Sequence, residues 1–429
     1  MYEYFNGGFS LRNAGYMKGM IHMFKIIDGG VCAPKGFFAN GIHCGIRKNR
    51  TKRDIALIVS DVPAAAAATY TTNLVKGAPL TVTKDNIRNG YAQAVICNSG
   101  NANTCNADGI EVAQKMCDLV EKYTDVKAED VIVASTGVIG QPLDITPIAD
   151  GMEELVKGLG KDAEHANFAS EAILTTDLVK KEIAVSFTLG GKECTIAGIA
   201  KGSGMIHPNM ATMLVFITTD AAISPKMLQR TLSADIKKTF NMISVDGDTS
   251  TNDMVSVMAN GLAGNALIEE ENEDFETFAK ALNTVTIYLC KMIAGDGEGA
   301  TKMLECSVSG AKDEKCAKTV AKSVICSSLL KAAMFGADAN WGRVLCAIGY
   351  SGANVDVNKI DVSFASKEGT IKVCENGAGV NFSEEIAKKI LLEKEINIII
   401  DLKDGDAHAT AWGCDLTYDY VKINGDYRT

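Results

Sequence analysis

No stretch of this 429-residue chain approaches the roughly 18–20 consecutive apolar residues needed to cross a bilayer; the longest, at 62–68 and 396–400, have the length of core strands. The first 23 residues carry Lys18 but no apolar segment ending at a small-residue cleavage site, which argues against a secretory signal. Thirteen cysteines are an odd number, scattered without C-x-x-C pairs, so neither a disulfide framework nor a zinc site is expected. They read as buried free thiols in a reducing cytoplasm. Positive charge is also scarce: 43 Lys and Arg against 53 Asp and Glu give a formal charge of −10. That balance disfavours a nucleic-acid surface, and any anionic ligand must be met by locally placed cations or backbone amides. Prolines number 7 against 40 glycines, a ratio that points to many tight turns.

What is present is a folded chain, 47% hydrophobic and 22% charged, long enough for two or three structural units. Thr146-Pro147 and Ser224-Pro225 each place a hydroxyl before a proline at a first helical position, predicting helices near 147–159 and 225–240 with Thr146 and Ser224 as caps. Ser383 followed by Glu384 and Glu385 opens another, to about 393, and longer helices are expected over 275–292 and 315–334. Strands are expected at 131–135, 183–189, 213–218, 359–364 and 396–402. The alternation predicts a mixed α/β (α+β) protein, a layered sandwich of β-sheets between helices.

The glycine-rich stretches AKGSG (200–204) and GDGEGATK (295–302) lack the Walker spacing and the dinucleotide fingerprint. DGDTSTND (246–253) lacks the glycine and glutamate that a calcium loop needs at its sixth and twelfth positions. What remains is Thr212 in HPNMATMLVF (207–216). A threonine hydroxyl inside a chain has no base of its own. Cutting the Ala211–Thr212 bond would supply one, because the new α-amine, with an ordinary pKa of about 7.7–8.0, sits beside the hydroxyl. A small residue before the threonine and the turn-forming HPN suit an N→O acyl shift. From spacing alone, a threonine opening a buried strand is the alternative.

KGSGMIHPNMATML (201–214) resembles the processing segment of the ornithine acetyltransferase (glutamate N-acetyltransferase) family of arginine biosynthesis. GGVCAPKGF (29–37), SDVPAAAAATYTTN (60–73), NSGNAN (98–103), STGVIG (135–140), DGDTSTND, GDGEGATK, GADANWGR (336–343) and the C-terminal WGCDLTYDYVKINGDYRT also look like family segments, in family order, from about residue 24 onward. The resemblance implies an N-terminal-nucleophile-like architecture. It implies a precursor that cleaves itself between Ala211 and Thr212 into an alpha chain, 24–211 after an extension at 1–23 expected to be disordered, and a beta chain, 212–429. Two copies of each are expected to form a heterotetramer.

The implied reaction is ping-pong transfer of the acetyl group from N-acetylornithine to glutamate through acetyl-Thr212. Thr136 and Gly137 inherit the family's oxyanion hole. Thr175, with Thr176 as a one-residue alternative, Lys201, Thr212, Glu298, Asn424 and Thr429 inherit substrate binding. Lys201 suits a substrate carboxylate and Glu298 an amino group. His207 stands five residues before Thr212, but beside a proline it reads as structural. No metal or cofactor is implied; acetyl-CoA is a further co-substrate to test. Two alternatives keep other chemistry open: an amidase or aminopeptidase using the same nucleophile with water, and a binding protein that never cleaves.

Overall fold

The computed structural model describes residues 24–207 and 213–426, so the extension expected over 1–23 lies outside the described residues. Its first sheet contains β1 (Lys25–Ile27), β2 (Phe37–Ile42), β3 (Ile55–Tyr70), β4 (Tyr91–Asn101), β5 (Val131–Val138), β6 (Lys181–Leu189), β7 (Lys192–Lys201), β8 (Leu214–Thr219) and β10 (Met254–Ala259). The order is β1-β6-β7-β8-β10-β3-β4-β5, with β2 also on β3. The 16-residue β3 explains much of this sheet. Its first half is rich in Ile and Val, and its five consecutive alanines, Ala64 to Ala68, alternate between two cores. Pro63, which has no N–H to give a ladder, falls where the β3–β4 register shifts between Val59 and Ala64.

The second sheet holds β9 (Ile243–Ser244), β11 (Met303–Ala311), β12 (Asp361–Ser366), β13 (Gly369–Glu375), β14 (Ala378–Gly379), β15 (Glu395–Asp401) and β16 (Ala407–Cys414) in the order β14-β13-β12-β15-β11-β16-β9. Val362, Phe364, Ile396, Ile398 and Ile400 alternate along β12 and β15 and bury one face. The helices are α1 (Ala78–Asn86), α2 (Gly109–Tyr123), α3 (Thr146–Lys157), α4 (Ala163–Ala172), α5 (Pro225–Ile236), α6 (Glu273–Gly295), α7 (Glu314–Cys326), α8 (Ser328–Phe335), α9 (Trp341–Gly349), α10 (Glu384–Leu391) and α11 (Tyr418–Gly425). The mixed α/β layering expected from the alternation is therefore present. Among the described residues no helix is long and apolar enough to cross a membrane.

Helix α6 joins the layers. Phe278, Leu282, Val285, Leu289 and Ile293 recur at helical spacing and are fully buried, and the helix touches β6 and β7 of one sheet and β11 and β16 of the other. It reaches β7 closely because Gly198 has no side chain; a Cβ there would stand 3.1 Å from Leu289 and 3.2 Å from Val285.

Most expected elements are found, with two corrections. The helix expected over 315–334 is two helices: Ser327 adopts an extended ψ of 107° and its hydroxyl accepts from the Leu330 amide, capping α8 and stopping α7. Thr146 is not a cap but the first helical residue, and its amide is taken by the Asp144 carboxylate at 2.9 Å. Ser224 and Ser383 do cap their helices. All thirteen cysteines are unpaired, and nine are buried, so thiols here behave chiefly as packing groups. Leu289→Ala should cost about 2–5 kcal/mol through the cavity it leaves between α6 and β7; urea unfolding reads this, and wild-type stability would show that α6 is not part of the common core.

Candidate active site

The site is built where strands end. Thr136 and Gly137 close β5 and stand in parallel register with Ser99 and Gly100 of β4. Gly137 has φ 131°, and a Cβ on it would lie 2.5 Å from the Gly100 carbonyl carbon, so only glycine lets the two strand ends approach. Asn252 fixes the same strand end from the DGDTSTND segment. Its amide nitrogen donates to the carbonyls of Ser135 (2.9 Å) and Ala102 (2.6 Å), while its oxygen accepts from the hydroxyls of Thr104 and Thr251. The segment that fails as a calcium loop is thus a hydrogen-bonded brace beside Thr136. Arg47 adds a second tie, its guanidinium donating to the carbonyls of Ser99 and Leu174, which links the register partner of Thr136 to the neighbour of Thr175.

Three loops meet over a buried charge triad. The Lys181 ammonium, with no exposed surface, donates to Asp177 Oδ1 (2.7 Å), Asp296 Oδ2 (2.6 Å) and the Val179 carbonyl (3.3 Å), using all three protons. Asp177 also accepts from the Gly202 amide (2.6 Å) and the Thr175 amide (2.9 Å). Asp296 accepts from the amides of Leu178 and Val179, and its own carbonyl takes the Ser203 hydroxyl at 2.6 Å. Burial alone would push the Asp177 carboxyl up, but Lys181 and Lys201 with these hydrogen bonds hold it well below the usual carboxylate range.

Lys201 ends β7 opposite Leu214 of β8, buried to 4% exposure. Among the described residues its ammonium makes no ion pair or hydrogen bond. Burial pulls its pKa down, Asp177 opposes, Lys181 adds to the fall, and Asp253 and Cys97 oppose. Asp253 precedes β10, alongside Met213, whose carbonyl takes the Met254 amide at 3.1 Å. Its two carboxylate oxygens are buried with no hydrogen bond of ordinary geometry among the described residues. Burial pushes this carboxyl well up against the pull of the Met213 amide, the Thr71 hydroxyl and Lys201. His207 lies 3.1 Å from Ser244 Oγ and 3.5 Å from Cys326 Sγ through Nδ1. Burial and then Lys322, against Asp246, push its imidazole down to about 4, so it is neutral at pH 7.

Glu298 is buried and accepts the side-chain amide of Asn424 at 2.7 Å. Its backbone amide donates to the Ser203 carbonyl, and a Cβ on Gly204 would lie 2.4 Å from its carboxyl carbon. Helix α11, which carries Asn424, docks because Gly299 leaves room: a Cβ there would stand 2.7 Å from the Tyr420 amide. The Thr417 hydroxyl donates to the Gly299 carbonyl, and the Tyr420 hydroxyl to Asp246. Asp246 in turn accepts the amides of Met205 and Ile206. A cleft of about 400 Å³ opens between Leu178, Gly299, Thr301, Asp419 and Lys422 beside this pair.

Thr175, Lys201, Glu298 and Asn424, from four separate motifs, thus lie along one continuous set of contacts, to which Thr136 and Gly137 are joined through Arg47 and Asn252. Thr176 neighbours Thr175, but the amide and hydroxyl that donate to Asp177 are those of Thr175. Ala211, Thr212 and Thr429 lie outside the described residues; Met213, which follows Thr212 in the chain, is buried immediately before β8. Sequence reasoning passed over Asp177, Lys181, Asp296, Asp253, Arg47 and Asn252. The signal available was that four of them, Asp177, Asp296, Asn252 and Asp253, sit inside the motifs TTD, GDGEGATK and DGDTSTND. Among the described residues no group of three or more His, Cys, Asp or Glu could hold a metal.

Residues 38–429 match the ArgJ family. The chain is 50% identical over 406 residues to the arginine biosynthesis bifunctional protein ArgJ of Caldanaerobacter subterraneus subsp. tengcongensis, covering 94% of this chain and all of that protein. It is 52% identical over 394 residues to arginine biosynthesis bifunctional protein ArgJ 1 of Clostridium acetobutylicum, covering 92% and 96%. A crystal structure of the Bacillus halodurans arginine biosynthesis bifunctional protein argJ matches with 49% identity and a TM-score of 0.47, over 49% of this chain and 97% of that chain. Asn252→Ala should strand the two carbonyls it serves and lower stability by on the order of 1–3 kcal/mol; thermal unfolding measures this, and an unshifted midpoint would remove the brace from the account.

Proposed function

The chain belongs to the ArgJ family, and we propose from that premise that it moves an acetyl group from N-acetylornithine to glutamate through Thr212. The observation that carries the reading is the convergence of Thr175, Lys201, Glu298 and Asn424 on one linked site at the strand that follows Thr212. Independent loop charges would have no reason to meet there. The relatives are named bifunctional arginine-biosynthesis proteins, which supports a biosynthetic role and a second activity beside the proposed transfer.

Maturation begins when the Thr212 hydroxyl attacks the Ala211 carbonyl, replacing the peptide bond by an ester and freeing the Thr212 amine. Water then hydrolyses the ester, leaving chains of 211 and 218 residues. In turnover the amine takes the hydroxyl proton as Oγ attacks the acetyl carbonyl of N-acetylornithine. The tetrahedral oxyanion is met by the Thr136 hydroxyl and the Gly137 amide. Its collapse returns the proton to the departing ornithine nitrogen and leaves acetyl-Thr212. Glutamate reverses these steps as acceptor. Lys201, where charged, meets a substrate carboxylate, while Glu298, oriented by Asn424, meets an amino group. Thr429 adds a hydroxyl. The working form is a cytoplasmic heterotetramer of two of each chain, with no cofactor. Acetyl-CoA serves as an alternative donor, which glutamate acetylation with acetyl-CoA alone tests.

Purified protein should run on a denaturing gel as two bands near half the full mass, with the second fragment beginning at Thr212. Thr212→Ala should stay as one inactive band; a full-length wild type that still transfers acetyl groups would sink the mechanism. The pH dependence should identify the base. The limb of kcat/KM that rises with pH should have an apparent pKa of about 7–8, or lower where burial disfavours the ammonium. His207, already neutral above about 4, cannot supply that limb. His207→Ala should therefore keep it, and its loss in that variant would move the base to the imidazole.

A further inference from the structure

We propose that Asp177 is a positioning residue for substrate recognition, holding Thr175 with one carboxylate oxygen and the Lys201–Gly202 segment with the other, while Lys181 couples it to the Glu298 loop through Asp296. The inference rests on the proposed reading of Thr175, Lys201 and Glu298 as the substrate's partners and goes beyond it, because Asp177 itself touches no substrate.

The geometry is specific. Asp177 Oδ2 accepts the Thr175 amide at 2.9 Å and faces its hydroxyl at 3.4 Å, while Oδ1 accepts the Gly202 amide at 2.6 Å and the Lys181 ammonium at 2.7 Å. Lys181 continues to Asp296 Oδ2 at 2.6 Å. From Asp296 the path runs by its carbonyl to the Ser203 hydroxyl, and from the Ser203 carbonyl to the Glu298 amide. Lys181 and Asp177 have no exposed side-chain surface, and Asp296 has 6%. Water therefore cannot replace a lost partner cheaply. An asparagine at 177 has one acceptor where the carboxylate has two. Whichever way its amide turns, its NH2 group faces donors, either Thr175 on one side or Gly202 and Lys181 on the other.

Asp177 also acts on charge. Four titratable groups face Lys201: Asp177 from the loop before β6, Lys181 from β6, Asp253 from the turn before β10 and Cys97 from β4. Burial and Lys181 disfavour the Lys201 ammonium, while Asp177 is the largest influence sustaining it. Since Lys201 is held down already, removing Asp177 lets it lose its proton at still lower pH. A substrate carboxylate would then lose its cation at lower pH than in the wild type. Asp177→Asn leaves Lys181 paired with Asp296, so no buried lysine in the triad is orphaned.

The test is glutamate KM and kcat from pH 6 to 9 for the self-processed protein made from the complete chain, compared with wild type so that glutamate's own titration cancels. Asp177→Asn should raise KM by about tenfold or more, change kcat far less, and move the alkaline rise of KM to lower pH. KM does not depend on how much of a sample folds, so a merely structural defect would lower activity without either change. Asp177→Glu keeps the charge but displaces the oxygens; it should raise KM and leave the alkaline rise in place. It decides the matter where the Asn variant gives no soluble protein. Wild-type KM and pH profile in these variants would overturn the role of Asp177. Lys201→Met in parallel separates the levels: an unchanged KM there overturns the reading of Lys201, whereas a raised KM beside a wild-type Asp177→Asn overturns only the inference about Asp177.

Discussion

A lysine ammonium with no exposed surface has to be neutralised where it lies, and the way Lys181 is neutralised fixes the shape of everything around it. Desolvating a charge costs several kcal/mol even after the protein relaxes. Two carboxylates must therefore come to it, and each arrives on a loop with other obligations. Asp177 brings the Thr175 turn and grips Gly202; Asp296 brings the glycine-rich loop and grips Leu178 and Val179. The loops that would otherwise be the least determined parts of the fold become mutually positioned at hydrogen-bond distance. Buried ion groups are poor contributors to net stability, which fits a role in geometry rather than in holding the chain folded.

The oxyanion candidates obey a different constraint, packing rather than charge. Gly137 is obligatory because the Gly100 backbone lies where a side chain would begin, and Asn252 saturates the carbonyls that the strand end leaves unpaired. Both devices fix backbone, so an amide at 137 is aimed by the sheet itself. Asp253, buried beside the Met213 amide without an ordinary partner among the described residues, has its carboxyl pushed well up by that burial.

Regular elements were legible where pattern and punctuation agreed. The Ser224-Pro225 and Ser383-Glu384 starts name their helices almost to the residue, because capping is a local interaction. Period-two alternation does the same for β6 and β15. Ser327 misled because a single hydroxyl divides what composition shows as one helical stretch. At the site, Thr175, Lys201, Glu298 and Asn424 were reached through resemblance of motifs, not through any local rule. What joins them was not legible, since an aspartate in TTD reads the same whether it faces solvent or a buried lysine. Only the fold brings positions 177, 181, 202 and 296 together, across 119 residues of sequence from first to last.

The order of the first sheet bears on what a broken backbone between residues 201 and 214 would mean mechanically. Strands β8 and β10, from beyond that point, are wedged between β7 on one flank and β3 on the other, and all twelve of their residues are buried. Withdrawing them would tear two ladders at once and open a pair of bare edges in the middle of the sheet, where unpaired amides and carbonyls are least tolerated. A severed molecule would be two polypeptides by chemistry and one solid by mechanics, with its seam woven inside the fabric instead of running along a border. Neither portion owns the whole of the first sheet, so there each is a template that only the other can finish.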